Sequence, residues 1–322
     1  MAEKIVLGTR GSELAQAQTR MVESELRARW TDVTLETKAI KTRGDEPKSD
    51  EATSTAVASP DHFGVVDLRA GRKGLFTSEI ERALLAGEID VAVHSAKDLP
   101  SELGAGTQIA AVLPRASVDD VLIAATQHDL QSLPPDGIVA TGSVRRKHQL
   151  HWKRPDLEIV DLRGNVPTRL RKMVQGEWHG MILARAGLER LDLDANGRRF
   201  HFEQSEFFIE VLPREIFLPA GGQGVIAMQI RSDDDHARML VESINDFDTR
   251  LCLRAEREFL RLLHGDCNQP VGVLATLDGA LMKIDAQVFD LEATTPRQAS
   301  IAGASADAEG LASQLFVKIN GK

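Results

Sequence analysis

The chain has 322 residues and a formal net charge of −9, and 42% of its residues are hydrophobic and 27% charged. This length predicts two or three globular domains, and no apolar run approaches the ~18 residues of a membrane span. The acidic charge disfavours a general nucleic-acid binder, because neutralising phosphates requires a basic face. The amino terminus lacks a basic region followed by an apolar stretch, so the expected location is cytoplasmic.

The two cysteines, Cys252 and Cys267, have neither the spacing of a disulfide framework nor that of a zinc site. No metal site is therefore expected. Cys252 lies among leucines of a predicted helix, which is typical of a core residue. Cys267 lies in the loop sequence HGDCNQP, where a thiol is either inert and buried or an attachment point or nucleophile.

The first third of the chain alternates predicted strands and helices. Strands at 4–9 and 33–40 flank a helix that Ser12 can cap, and a helix from Gly74 to Gly87, with Thr77 as its cap, leads into a strand that starts at Ile89. Residues 44–72 are rich in Ser, Thr, Ala, Asp and Pro and lack periodicity. They predict a long mobile loop, either a surface insertion or an active-site lid.

Three further strand-to-helix units predict a second α/β domain: GIVATGS into VRRKHQLHW, LEIVDLRGN into VPTRLRKMV, and GMILARAG into LERLDL. The apolar strand 225–230 is expected to pair back with the first domain, so that the two crossings form a hinge. A helix, a hairpin turning at Asp278-Gly279, a strand and a last helix predict a small α+β domain. The predicted domains are 1–114 with 225–242, then 118–218, then 247–322.

The stretch IDVAVHSAKDLP predicts a buried strand that ends in Lys97 and Asp98. In open α/β sheets, ligands bind beyond the carboxyl ends of the strands. A Lys-Asp pair there is either a structural ion pair or part of a functional site. His94, within the strand, is expected to be structural.

Cations recur at predicted strand ends. Arg145 and Arg146 follow Ser143 in the first turn of a helix. Positive charges there interact unfavourably with the helix macrodipole unless a nearby anion compensates them. The alternative is a solvated charge run. Other predicted strands are also followed by cations, namely Arg10, near Ser12, and Arg163 with Arg169. If these strand ends converge, they predict a cleft that binds a small polyanion. Asp98 would then be one carboxylate among cations, suited to stabilise positive charge or exchange a proton.

Eight stretches, in the same order, resemble the porphobilinogen deaminase family: GTRGSELA, KTRGD, RKGLFTSEIE, DVAVHSAKDLP, TGSVRRKHQL, LRGNVPTRL, LPAGGQG and HGDCNQPVG. The resemblance implies an α/β protein with two lobes like type II periplasmic binding proteins, joined by a hinge, and a small α+β carboxyl-terminal domain. It implies a transferase of tetrapyrrole, porphyrin and heme biosynthesis. Such an enzyme condenses four porphobilinogen molecules head to tail onto a covalent dipyrromethane primer, with release of ammonia, giving hydroxymethylbilane.

The resemblance also implies roles for individual residues. Cys267 would carry dipyrromethane and Asp98 would be catalytic. The other implied cofactor-binding residues are Lys97, Ser143, Arg145, Arg146 and Arg163. The implied substrate-binding residues are Arg10, Ser12, Arg169, Phe76 and Gln223, with Lys73 and Arg69 on the loop. The implied protein is a monomer that acts on porphobilinogen and has no nucleic-acid or membrane partner. A two-lobed binding protein without catalysis is the alternative.

Overall fold

The computed structural model describes residues 3–41, 74–176, 178–193, 197–263, 270–290 and 293–321. These residues form a five-stranded, a six-stranded and a three-stranded sheet, each with its own helices. The predicted loop at 44–72, which includes Arg69, lies outside the described residues, as do Lys73 and Cys267.

The first lobe begins with six elements: β1 (Glu3–Arg10), α1 (Glu13–Arg29), β2 (Val33–Ile40), α2 (Gly74–Leu85), β3 (Val91–Ser95) and β4 (Thr107–Val112). The first three strands are parallel, with β1 between β2 and β3. Ser12 caps α1 as predicted, and its hydroxyl accepts a hydrogen bond from Ala15 N at 3.3 Å. The prediction that Thr77 caps α2 was wrong, because the helix already begins at Gly74 and Thr77 is buried within it.

The second lobe contains the three predicted strand-to-helix units and a hairpin that was not predicted. Its elements are β5 (Asp120–Ala124), β6 (Ile138–Ala140), α3 (Val144–Lys153), β7 (Glu158–Val160), α4 (Val166–Gln175), β8 (Gly180–Ala184), α5 (Arg185–Glu189), β9 (Arg199–Phe202) and β10 (Ser205–Val211). The sheet order is β7-β6-β8-β5-β10-β9. The hairpin β9–β10 could have been recognised from the alternating phenylalanines in RFHFEQSEFFIEV.

The chain then returns to the first lobe through β11 (Ile226–Arg231) and α6 (Asp235–Glu242). Strand β11 lies between β3 and β4 and is antiparallel to both. This confirms the predicted return, and the chain therefore crosses twice between two α/β lobes, which is the expected hinge.

The third unit is α+β, as expected: α7 (Phe247–Leu262), β12 (Val271–Asp278), β13 (Leu281–Val288), β14 (Arg297–Ala304) and α8 (Ala308–Asn320). Its three strands form an antiparallel sheet whose apolar face packs on both helices. Gly279, with φ of 56°, makes the predicted hairpin turn. Helix α7 starts at Phe247 because Asp246 caps it and accepts from Thr249 N at 2.8 Å. Among the described helices, none has the length and hydropathy that crossing a lipid bilayer requires.

Candidate active site

Lys97 and Asp98 stand where the buried strand β3 ends in a single 3-10 turn, Ala96–Asp98. Both side chains are half-buried. They do not form a direct ion pair, and the Asp98 carboxylate accepts no hydrogen bond from any described residue. The simple ion-pair interpretation of this pair is therefore wrong, and within the described part of the chain the Asp98 oxygens have no donor.

Cations from both lobes lie within electrostatic range of Asp98. Burial is the main cause that lowers the pKa of Lys97 to about 8; Asp98 opposes this shift, and Arg146 contributes to it. Burial likewise lowers the pKa of Arg169 to about 10, again with a lowering contribution from Arg146 and a raising one from Asp98. The structure thus brings the strand end of the first lobe together with the arginines of the second lobe.

Arg145 and Arg146 are buried, with about a twentieth of each residue exposed, so the solvated charge run is the wrong interpretation. Their positive charges are compensated by the carboxylate of Asp120, a residue that was not predicted from the sequence. Arg145 Nη1 donates to Asp120 Oδ2 at 2.8 Å, and Arg146 Nη2 donates to Asp120 Oδ1 at 2.7 Å. An acidic pair directly before the apolar run VLIA was the available signal for it.

These cations keep donors that the described part of the chain does not use. The Nε–H groups of Arg145 and Arg146 are buried and find no acceptor there. Arg169 donates only through Nε, to Gly164 O at 2.7 Å, which leaves its two terminal amino groups without a described acceptor. Unsatisfied donors of this kind are where a ligand's carboxylates would belong.

The other predicted residues of the first-lobe strand ends also lie near Asp98. Arg10 is half-buried at the end of β1 and is close enough to His94 to contribute to lowering its pKa. That pKa falls to about 4, chiefly through burial, so His94 is neutral at neutral pH. In the second lobe, Ser143 caps α3 and accepts from Arg146 N at 3.5 Å, so its hydroxyl hydrogen remains free to donate.

Three of the predicted residues have other surroundings. Arg163 is exposed, and its guanidinium lies 3.7 Å from the Asp161 carboxylate. Gln223 is buried, and its amide nitrogen donates to Val118 O at 2.7 Å and to Asp120 Oδ1 at 2.9 Å, within the hinge. The side chain of Phe76 lies outside the described residues. Direct ligand contact by these three stays a prediction.

The glycine-rich segment LPAGGQG connects the hinge to the turn that carries Lys97 and Asp98. Gly222 has φ of 75°, and a Cβ on it would lie 3.0 Å from Ala96 C and Lys97 N. The preceding Gly221 packs against Leu260 and Val273 of the third unit. Because Gly221 and Gly222 have no side chains, this segment can pack closely against both the Lys97–Asp98 turn and the third unit.

Replacing Gly222 by Ala is expected to lower kcat by at least about tenfold, because both the positive φ and the clash would displace the turn that carries Asp98. Gly279→Ala is the matched control, since its φ of 56° imposes similar strain in a place where a Cβ meets nothing within 4 Å. Both variants should lose thermal stability. Equal kcat values in the two would show that the close approach at Gly222 does not position the turn.

The fold and site together define a hinged, two-lobed α/β protein in which cations of both lobes lie near Asp98, a carboxylate without a hydrogen-bond donor among the described residues. Two family models match this chain: "Porphobilinogen deaminase, dipyromethane cofactor binding domain" over residues 5–239, and "Porphobilinogen deaminase, C-terminal domain" over residues 250–320. The chain belongs to the porphobilinogen deaminase family, and it is therefore a transferase of tetrapyrrole biosynthesis with a dipyrromethane-binding domain.

Several relatives named porphobilinogen deaminase support this assignment. That of Syntrophomonas wolfei subsp. wolfei is 44% identical over 89% of this chain and 85% of its own length. That of Moorella thermoacetica is 39% identical over 98% and 93%, respectively. Among solved structures, the probable amino-acid ABC transporter extracellular-binding protein ytmK from Bacillus subtilis is 8% identical, covers 76% of this chain and 90% of its own, and gives a TM-score of 0.41. That score is too low to carry an argument.

Proposed function

We propose that Asp98 is the catalytic carboxylate with which this chain condenses porphobilinogen into hydroxymethylbilane. The observation that carries the proposal is the half-buried carboxylate that no described residue engages, although cations of both lobes lie within electrostatic range. A carboxylate whose oxygens have no described donor can accept hydrogen bonds from pyrrole N–H groups. The proposed reaction develops a positive charge, which the negative charge of this carboxylate is suited to stabilise.

In each cycle the C–N bond of the aminomethyl group breaks and ammonia leaves, which leaves a cation conjugated with the pyrrole. The Asp98 carboxylate stabilises this cation electrostatically and holds the ring by its N–H. Attack by the neighbouring pyrrole carbon forms the new C–C bond, and the proton lost from that carbon restores its aromatic ring. Bound dipyrromethane supplies the free pyrrole end at which the chain starts.

The cations hold the acetate and propionate groups. Among the described residues, no acceptor is found for the ammonium of Lys97, the terminal amino groups of Arg169 or the buried Nε–H groups of Arg145 and Arg146. A dipyrromethane with its four carboxylates fits this donor set. Arg10, Ser12 and Ser143 are assigned to the same carboxylates by their places at strand and helix ends, while Arg163, Phe76, Gln223, Lys73 and Arg69 keep their predicted roles.

Cys267 is proposed as the attachment point of dipyrromethane. It lies outside the described residues, in the stretch between α7 and β12. The chain has only two cysteines. The other one, Cys252, is buried in the core of the third unit, and burial raises its thiol pKa to about 11. A buried thiol with so high a pKa is a poor nucleophile, which supports Cys267.

We also propose that the protein is a cytoplasmic monomer without a nucleic-acid partner. The net charge of −9 supports the last of these, because an acidic surface repels phosphates. Sedimentation analysis of the purified chain would test the monomeric state, and a sedimenting species of twice the 35.2 kDa mass would contradict it.

Carboxylate binding at Lys97 gives the enzyme a pH dependence. Because its pKa is lowered to about 8, Lys97 loses its charge at a pH where an ordinary lysine keeps it. Carboxylate binding requires the charged ammonium, so kcat/KM for porphobilinogen should decline as pH rises through the pKa of Lys97, which bound carboxylates move above about 8 in the loaded enzyme. The free energy of unfolding changes in the opposite direction and rises with pH above about 8, since the unfolded state then binds more protons.

The measurement is kcat/KM across this pH range for the wild type and for Lys97→Arg. The guanidinium keeps its charge at all these pH values, so the part of the decline that belongs to Lys97 should be absent from the variant. An identical decline in both proteins would assign it to another group, such as the amino group of the substrate.

A further inference from the structure

Asp120 is the first residue of β5 and therefore the point where the chain enters the second lobe. It is completely buried, and both of its carboxylate oxygens are used. Oδ2 accepts from Arg145 Nη1 at 2.8 Å, while Oδ1 accepts from Arg146 Nη2 at 2.7 Å and from Gln223 Nε2 at 2.9 Å. One carboxylate thus joins two cations of the anion site to the second crossing between the lobes.

Backbone carbonyls complete the fixation of both guanidinium groups. Arg145 Nη1 also donates to Leu218 O at 2.8 Å, and Arg146 Nη1 donates to Ile182 O at 3.0 Å. Arg146 is therefore held through both of its terminal nitrogens and Arg145 through Nη1 alone, and the Nε–H groups of both arginines are buried donors without an acceptor among the described residues. With Asp120 present, two buried positive charges are partly balanced; without it, they repel each other in a medium of low dielectric constant.

We propose that Asp120 is a positioning residue for the condensation reaction, which sets the orientation of Arg145 and Arg146 toward ligand carboxylates. This inference rests on the proposed function, in which those arginines bind the acetate and propionate groups. Gln223 holds Asp120 in place and ties it to Val118 O, so that the orientation of both arginines is linked to the hinge itself. Gln223 thereby acts through Asp120 from a buried position.

If Asp120 had a purely structural role, its substitution would change only the stability of the protein. A positioning role predicts higher KM and lower occupancy by dipyrromethane. It also predicts a change at Lys97, whose pKa is raised by Asp98 and Asp120 and lowered by Arg146 and Arg145. Removing the Asp120 charge lowers this pKa, so the alkaline decline of kcat/KM should move to lower pH.

The test compares three variants of the full-length, cofactor-loaded enzyme. Asp120→Asn removes the charge, and Gln223→Leu removes the bond to Asp120 without changing charge, which provides a readout if the first variant fails to fold. Asp90→Asn is the control, since Asp90 accepts from Arg231 Nη2 at 3.1 Å and from Val6 N at 2.9 Å at the opposite end of β3. It makes the same substitution in another aspartate-arginine pair.

For Asp120→Asn we expect KM to rise about tenfold or more, with a smaller change in kcat, and the fraction of dipyrromethane-loaded protein in intact mass spectra to fall. Gln223→Leu should shift both readouts in the same direction by a smaller factor, and Asp90→Asn should lower only the melting temperature. Wild-type KM, loading and pH profile in a folded Asp120→Asn or Gln223→Leu variant would overturn the positioning role. That result would leave the proposed function intact as long as Asp98→Asn remained inactive.

Discussion

Replacement of Asp98 by Asn is expected to lower kcat for porphobilinogen about 10²–10³-fold or more, the effect of removing one preorganised electrostatic group. The amide has the same shape but carries no charge to stabilise the cation left by departing ammonia. Because no described residue hydrogen-bonds to the Asp98 carboxylate, the substitution should change the melting temperature little. Steady-state kinetics and thermal unfolding of the same preparation separate the two effects.

Glu102→Gln is the control for this experiment, because Glu102 is an exposed carboxylate only four positions along the chain. It should keep the kcat of the wild type. Turnover near the wild-type value in Asp98→Asn would remove the catalytic assignment, whatever happens to its stability.

Replacement of Cys267 by Ala is expected to abolish covalent loading and, with it, all turnover. The mass of the purified wild-type protein should exceed the 35.2 kDa of the sequence by two pyrrole units, and the variant should show the bare mass. The reason is that a thioether needs an accessible thiol, and the only other cysteine lies in the core of the third unit with its pKa raised to about 11.

Cys252→Ala completes the pair, and it should retain the added mass and the activity with a modest loss of stability from the core. The reverse pattern, loading lost in Cys252→Ala and kept in Cys267→Ala, would exchange the roles of the two cysteines. A bare mass for the wild type would contradict covalent attachment altogether.

Local features of the site were predictable because they depend on neighbours in the sequence. Ser12 caps α1 as predicted, and Ser143 and Asn165 cap α3 and α4 in the same way, since in each case the side chain accepts from a backbone N–H three residues later. The strand-to-helix units followed from hydrophobic periodicity, and the return of β11 to the first lobe followed from an apolar strand left without a partner in the second. Capping and periodicity act over a few residues, so one sequence suffices.

The partners of the arginines could not be predicted, because they depend on contacts between distant parts of the chain. Arg145 and Arg146 broke the rule for helix amino termini, which indicated an anion. The anion that compensates their charge is Asp120, which lies 25 residues before Arg145 and 26 before Arg146 and meets them only in the folded lobe. The same holds for Gln223, whose buried contacts with Val118 and Asp120 cross the hinge.

The sequence by itself determined the α/β lobes, the caps, the cations at strand ends and the family of this chain, since all of these are properties of short segments and their order. Only the tertiary structure decided that Lys97 and Asp98 are not an ion pair, that Arg145 and Arg146 share a buried carboxylate, and that Lys97 has a pKa of about 8. The physical reason is that burial and electrostatic coupling depend on how the two lobes are placed against each other. The interaction energy between charges in the cleft rises as the opposite lobe excludes water from it.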